Sequence, residues 1–373
     1  MRAYLDHASV SPLRPAVIEA LHQVLEIAQA DPGRPYEEAL AIRDLIEQAR
    51  EEVATLVGAT ARQVVFTSSI AESITTSISA LAEGGPIIHA RTERSAVEAS
   101  AARYGTFLEL SVDCEGHLDL AHLEQLLTEH PGALVCCQIA NHETGVLTDV
   151  GEVVTATRRY GGRIHVDASV AFGHLAVDAA AIDADAITVS SELIGGPLGA
   201  AGLIVRRGHV LRPLLLGGAQ ERARRSGLEG VLALVGFGVA AGVLNEPGAV
   251  AEEAAIAQGQ IEQLEAVATA VTGVATVGDP RSSQRAPQLR CFTIEGVEAE
   301  PVLLGLDRRG ISVHSGSACS AESLLPSPVL AAMGLDADRS LRLSVGHSTT
   351  EEDIRRFTDS FAPVVEDLRS LAS

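Results

Sequence analysis

The chain has 373 residues, 46% of them apolar and only 3% aromatic, long enough to bury a core built from Ala, Val, Leu and Ile. A net charge of −21 argues against nucleic acid or an anionic membrane as a direct partner, because both require a basic surface. No apolar run approaches a membrane span and the segment from Met1 to Asp6 lacks a signal-peptide pattern, so the expectation is a cytoplasmic protein.

All 28 basic residues are arginine; there is no lysine. At even two per cent, roughly seven lysines are expected, and a coding bias toward arginine is one sufficient cause. The chemical consequence holds either way: no side chain can form a Schiff base with a carbonyl compound. Cys114, Cys136, Cys137, Cys291 and Cys319 show neither a disulfide framework nor metal-ligand spacing, so no metal is expected.

Pro15 opens a first helix. Leu40, Ile42, Leu45, Ile46, Ala49, Val53 and Leu56 recur at helical spacing and predict an amphipathic helix over 36–57, ended by Gly58. A strand over 63–67 leads into Thr67-Ser68-Ser69-Ile70-Ala71-Glu72-Ser73, a turn of small residues at a helix N-terminus, which is an anion-binding geometry. Strands over 86–89, 133–139, 163–167, 185–190 and 202–206 alternate with helical stretches, predicting a mostly parallel sheet with helices on both faces. Cys136 and Cys137 read as small core residues. The run from Val189 to Gly199, containing Gly195-Gly196-Pro197, is a turn at the carboxyl edge of that sheet, where such folds place ligands. An apolar helix over 229–244, a hinge over 245–248 and a helix over 251–271 follow. Strands over 288–294 and 311–313 come next, then a final helix opened by the capping-box pattern Thr349-Thr350-Glu351-Glu352. This divides the chain into a large α/β domain over 14–246 and a smaller α+β domain over 1–13 and 247–373, which carries the Cys319 loop.

Several of these stretches together resemble the cysteine desulfurases, pyridoxal-phosphate enzymes of the aminotransferase class V family. They are Tyr4-Leu5-Asp6-His7-Ala8, the turn around Glu192-Leu193, Arg225-Ser226-Gly227-Leu228, and Ser315-Gly316-Ser317-Ala318-Cys319. The resemblance covers nearly the whole chain. It implies the fold type I aminotransferase-like architecture, a large domain with a mostly parallel seven-stranded-type sheet plus a smaller α+β domain. It also implies a homodimer.

The departures from the family pattern fall on the cofactor. By resemblance, Leu193 stands where a lysine holds pyridoxal phosphate as a Schiff base, and Glu192 stands for the histidine before it. Ala71 and Leu228 replace threonines that reach the phosphate, and Val170 replaces a glutamine on the phenolic oxygen. Arg94 replaces a stacking histidine, although an arginine can also stack on a planar ring. Asp167 matches the partner of the pyridinium nitrogen, or persists by capping or by pairing with a nearby arginine. Leu193 reads as an apolar filler of the space a lysine stem occupies, Glu192 as that filler's neighbour or a new general base. Asn141 and His142 stand against an Asn-Asn pair, with Asn141 a substrate-binding candidate beside Arg342, and His347 stands against an arginine. Two elements remain: Arg342, matching the arginine that binds the substrate carboxylate, and Cys319, matching the cysteine that takes sulfur as a persulfide or else merely inherited.

The expectation drawn from this is that no cofactor is bound: covalent pyridoxal phosphate is excluded by the absence of lysine, and weak noncovalent binding stays open. The function expected is sulfur trafficking by persulfide relay through Cys319, or binding of a thiol amino acid, with a sulfur donor or acceptor protein as partner. The alternatives are a non-catalytic scaffold or regulatory partner of an active desulfurase, and a cofactor-independent enzyme that uses Glu192, His142 and Cys319. Whether the chain is an enzyme is left open.

Overall fold

A computed structural model describes residues 2–27, 30–315 and 327–372. Among the described residues, twelve strands form three sheets: β1 (Ala3–Tyr4), β2 (Val64–Thr67), β3 (Pro86–Ala90), β4 (Thr106–Leu110), β5 (Leu134–Gln138), β6 (Arg163–Asp167), β7 (Ala186–Ser190), β8 (Ala201–Val205), β9 (Val274–Thr276), β10 (Leu289–Ile294), β11 (Ile311–Ser312) and β12 (Ser340–Ser344). The main sheet has seven strands in the order β2-β8-β7-β6-β5-β3-β4. Strands β5, β7 and β8 are buried at every position, because helices cover both faces and a strand closed on two sides reads as a continuous apolar run. Only β8 is reversed, pairing antiparallel with both β2 and β7. The architecture is the α/β fold type I arrangement.

The amphipathic stretch forms the helix Glu37–Leu56, stopped at Gly58, whose φ of 64° suits a residue without a side chain. This helix packs closely on Val231–Asn245; a Cβ at Gly238 would stand 2.3 Å from the Ala49 Cα. Val231–Asn245 and Ala249–Thr269 meet at 86° across Glu246-Pro247-Gly248. No single helix among the described residues is long and apolar enough to cross a membrane.

A second core gathers Ala3 and Leu5 with residues from Ala257 to Val365, around the antiparallel sheet β12-β10-β9 and the parallel pair β1-β11. The final helix begins at Glu351, but its capping box lies one residue later than the sequence pattern placed it. Thr350 pairs reciprocally with Asp353, because the Thr349 hydroxyl is occupied by Gly346 N–H and His7. Strands β5, β6 and β7 end side by side at Gln138, Asp167 and Ser190, which sets one carboxyl edge for the residues that follow.

Candidate active site

Asp167, the last residue of β6, is buried. Its Oδ1 accepts from Ser169 N–H at 2.8 Å and its Oδ2 from Arg94 Nε at 2.9 Å, while Arg94 Nη2 donates to Ser169 Oγ at 3.1 Å. Arg94 is therefore an ion-pair partner of Asp167. Glu93 beside it is buried, and one of its oxygens has no hydrogen-bond partner among the described residues. Burial, reinforced by the Asp167 charge, pushes the Glu93 carboxyl well above the usual range. The sequence reading missed Glu93; its place next to Arg94 was the available signal.

The turn after β7 is held from both sides. Ser191 N–H donates to Ala200 O, and Gly196 N–H returns to Ser191 O. The N-terminal segment straps it: Ser11 N–H donates to Glu192 O, Arg14 N–H to Gly195 O, and Arg14 Nε to Ile194 O at 2.7 Å. His174 Nε2 donates to Leu193 O at 3.1 Å. Leu193 is 4% exposed and joins the main core with Val170. Glu192 is half-buried. Burial raises its carboxyl, against the pull of its own N–H and of Arg94, with Asp167 adding to the rise.

Behind this turn, three histidines far apart in sequence converge on a buried cluster. His7 contacts Ser11 Oγ at 2.8 Å and lies 6.2 Å, ring to ring, from His347. A Cβ on Gly195 would meet His347 at 2.9 Å. Burial, followed by the neighbouring histidines, lowers His7 to about 3; burial, followed by Arg14, lowers His347 to about 4. The folded-state values lie below the ordinary 6.5, so the native state binds fewer protons than the unfolded chain over this interval. Stability is thus full above pH 6.5 and falls as pH drops toward 4. Urea unfolding across that range is expected to show this decline, and a His347→Gln chain a shallower one; parallel declines for the two would contradict it.

The loop after β5 carries the next group. Asn141 is spent on the loop itself: its Nδ2 donates to Thr92 O, and its Oδ1 accepts from Glu143 and Thr144 N–H. His142 lies near Gln138 Oε1 at 3.3 Å. Burial, then Arg94, Arg342 and His314, hold it well below its ordinary value, so the ring is neutral. Arg342 on β12 is 3% exposed. It donates to His142 O at 2.9 Å, to Asp6 Oδ1 at 2.8 Å and to Ser9 Oγ, leaving Nε without a partner among the described residues.

Cys319 lies outside the described residues. The residues on either side of its segment are bonded to the site: His314 exchanges backbone hydrogen bonds with Arg342, and Ser327 Oγ donates to Glu143 at 2.6 Å. Of the other thiols, Cys136, Cys137 and Cys291 are buried and Cys114 is exposed. The cysteines show no metal-ligand spacing, yet among the described residues Glu115, His117 and Asp279 bring ligating atoms within 4.8 Å of one another. Asp279 already accepts from Arg281 Nε at 3.0 Å and contacts His117 at 2.7 Å, so its carboxylate is already engaged.

At the turn 67–73, Ser69 caps the helix Ile70–Leu81 by accepting from Glu72 N–H. The Glu72 carboxylate accepts from Ser68 N–H at 2.7 Å and from Arg225 Nε at 2.9 Å. The N–H groups of Ser69, Ile70 and Ala71 have no hydrogen-bond partner among the described residues. Leu228, 65% exposed, lines a cavity of about 190 Å³ with Thr67, Ser68 and Arg225.

The sequence profile of the aminotransferase class-V family matches residues 3–357. A cysteine desulfurase from Nostoc sp. is 35% identical over 99% of this chain and 94% of its own length. The chain belongs to the cysteine desulfurase family. Among further relatives, the desulfurase IscS of Dictyoglomus turgidum is 32% identical over 99% of this chain and 96% of its own length. The crystal structure of a NifS-like protein from Rickettsia africae superposes with a TM-score of 0.90 at 30% identity, covering 98% of this chain and all of that one.

This membership overturns one expectation. Cysteine desulfurases of class V depend on pyridoxal phosphate, so pyridoxal phosphate is the cofactor to expect here, not none. The three free N–H groups at the N-terminus of Ile70–Leu81 fit a phosphate, and Asp167 fits a ring nitrogen once Arg94 releases it. The covalent link does not fit, since no side chain of the chain is a primary amine. The residues present suit a cofactor held noncovalently.

Proposed function

We propose that this desulfurase-family chain moves sulfur rather than excising it, with Cys319 as the acceptor. The observation that carries the reading is buried Leu193 in a turn whose family counterpart supplies the amine for carbon–sulfur cleavage. In the relay, the Cys319 thiolate attacks the outer sulfur of a donor persulfide. The donor's S–S bond breaks, its thiolate leaves and takes up a proton, and Cys319 carries the new S–S–H. The sulfane sulfur keeps its oxidation state, so no oxidant is required. Anchoring of both flanks of the Cys319 segment on Arg342 and Glu143 supports a role for that segment at the site.

The test offers glutathione persulfide to the native chain, followed by mass spectrometry of Cys319 and transfer to a thiol acceptor. Native protein is expected to gain one sulfur at Cys319 and to pass it on, Cys319→Ser to do neither. Steady sulfide release from L-cysteine on addition of pyridoxal phosphate would defeat the reading.

A second reading, a non-catalytic partner of an active desulfurase, is favoured by one observation. Leu198, Val210, Leu216 and Leu228 are 67%, 84%, 83% and 65% exposed, an apolar set that suits a subunit contact, whether with a second copy as a homodimer or with a paralogue. A scaffold would be indifferent to Cys319→Ser.

A further inference from the structure

We infer that Glu253, outside the site, is a positioning residue: through Arg14 it sets where the turn 191–196 stands beside Asp167. This role goes beyond the Cys319 relay and is independent of it. The carbonyls of Glu192, Leu193, Ile194 and Gly195 accept in turn from Ser11 N–H, His174 Nε2, Arg14 Nε and Arg14 N–H. Arg14 thus holds two of the four. The other nitrogens of its guanidinium, Nη1 and Nη2, donate to Glu253 Oε1 and Oε2 at 2.6 and 2.8 Å. A planar fork bonded at all three nitrogens cannot turn without losing a contact, so the place of one partner fixes the other.

Glu253 belongs to the helix Ala249–Thr269, whose Ala257, Ile261 and Leu264 lie in the second core. The chain joins this helix to Val231–Asn245 through Glu246-Pro247-Gly248, a sharp bend with Gly248 at a φ of 86°. The Arg14–Glu253 pair is a second, noncovalent tie across that joint. Its side chains are 6% and 26% exposed, so solvent screens it less than a surface pair. Nor is there slack at the turn. A Cβ on Gly195 would stand 2.8 Å from Arg14 Cγ and 2.9 Å from His347 Cε1; a displaced Arg14 therefore pushes on backbone instead of filling a gap. Asp167 lies opposite Thr188 on β7, two residues before Ser190 and the start of the turn. Such a push shifts Glu192 and Leu193 relative to it. Movement of the helix Ala249–Thr269 is thereby felt at the carboxyl edge of the main sheet.

Amide hydrogen exchange followed by mass spectrometry tests this on the native chain and on Glu253→Gln, an isosteric change that removes the charge. In Glu253→Gln, peptides covering 191–199 are expected to exchange about tenfold or more faster, the loss of one charge-assisted contact. Peptides covering β3 to β6 are expected to keep native rates. In an Arg14→Gln background, where the link is already cut, Glu253→Gln is expected to add nothing further. Native rates over 191–199 in Glu253→Gln overturn the inference. Acceleration of β3 to β6 by the same factor also overturns it, since that marks general destabilisation. A full additional effect of Glu253→Gln in the Arg14→Gln background does so too, because the route then bypasses Arg14. Should Arg14→Gln fail to fold, the contrast between the turn and β3 to β6 in Glu253→Gln still decides. Loading of Cys319 with sulfur is read separately and bears on the relay alone.

Discussion

Replacing Glu221 by alanine is expected to lower the free energy of unfolding by about 3–5 kcal/mol, the usual cost of breaking a buried ion pair. Glu221 accepts from Arg50 Nη1 and Nη2 at 2.6 and 2.8 Å and from Phe66 N–H at 2.9 Å, and both side chains of the pair are under 5% exposed. It also holds an unusual backbone. Glu221, Arg222 and Ala223 have φ of 48°, 58° and 61°, three consecutive left-handed residues with side chains, each costing about 1–2 kcal/mol. Without the clamp this turn relaxes and returns part of that strain, so the lower end of the range is the better figure. Arg50→Met added to Glu221→Leu is expected to recover most of the loss, because an apolar replacement of a buried pair is often neutral. Urea unfolding of the single and double variants decides the matter; a loss below about 1 kcal/mol for Glu221→Ala would mean the clamp bears little.

The second large effect concerns position 193. Leu193→Lys is expected to turn a chain that takes no borohydride-fixed pyridoxal phosphate on any side chain into one labelled about once, at position 193. The turn is already held in place by its own hydrogen bonds. Reduction followed by peptide mapping reads the outcome, with Leu193→Met as a control for volume. An unlabelled variant that remains folded would show that the neighbourhood no longer seats the cofactor beside this turn.

Much of the architecture was legible from local pattern. The apolar runs that became β5 to β8 are buried on both faces, and burial of that kind leaves a continuous signature. The helix Glu37–Leu56 announced itself by spacing and by Gly58. What stayed hidden depends on side chains distant in sequence. That Arg94 engages Asp167 follows from β6 and the loop after β3 ending at one edge, and nothing within either segment states it. The same is true of Asp6 on Arg342, 336 residues apart, and of the cluster of His7, His174 and His347. The left-handed run at 221–223 contains no glycine and was invisible to turn chemistry, since its stability comes from Arg50 and Phe66. The capping box was misplaced by one residue because two adjacent threonines offered two frames and His7 decided between them.

The reversal of β8 has an evolutionary corollary. Its neighbour β7 precedes it directly in the chain, so the connection carrying Glu192 and Leu193 is a hairpin with Ser190 opposite Ala201. Pairing within a hairpin is local and does not rely on a crossover helix to return the chain. Two side chains at its tip can therefore be exchanged without disturbing register elsewhere. A pair of side chains mounted on such a connection can vary from one chain to another while the sheet around it is kept.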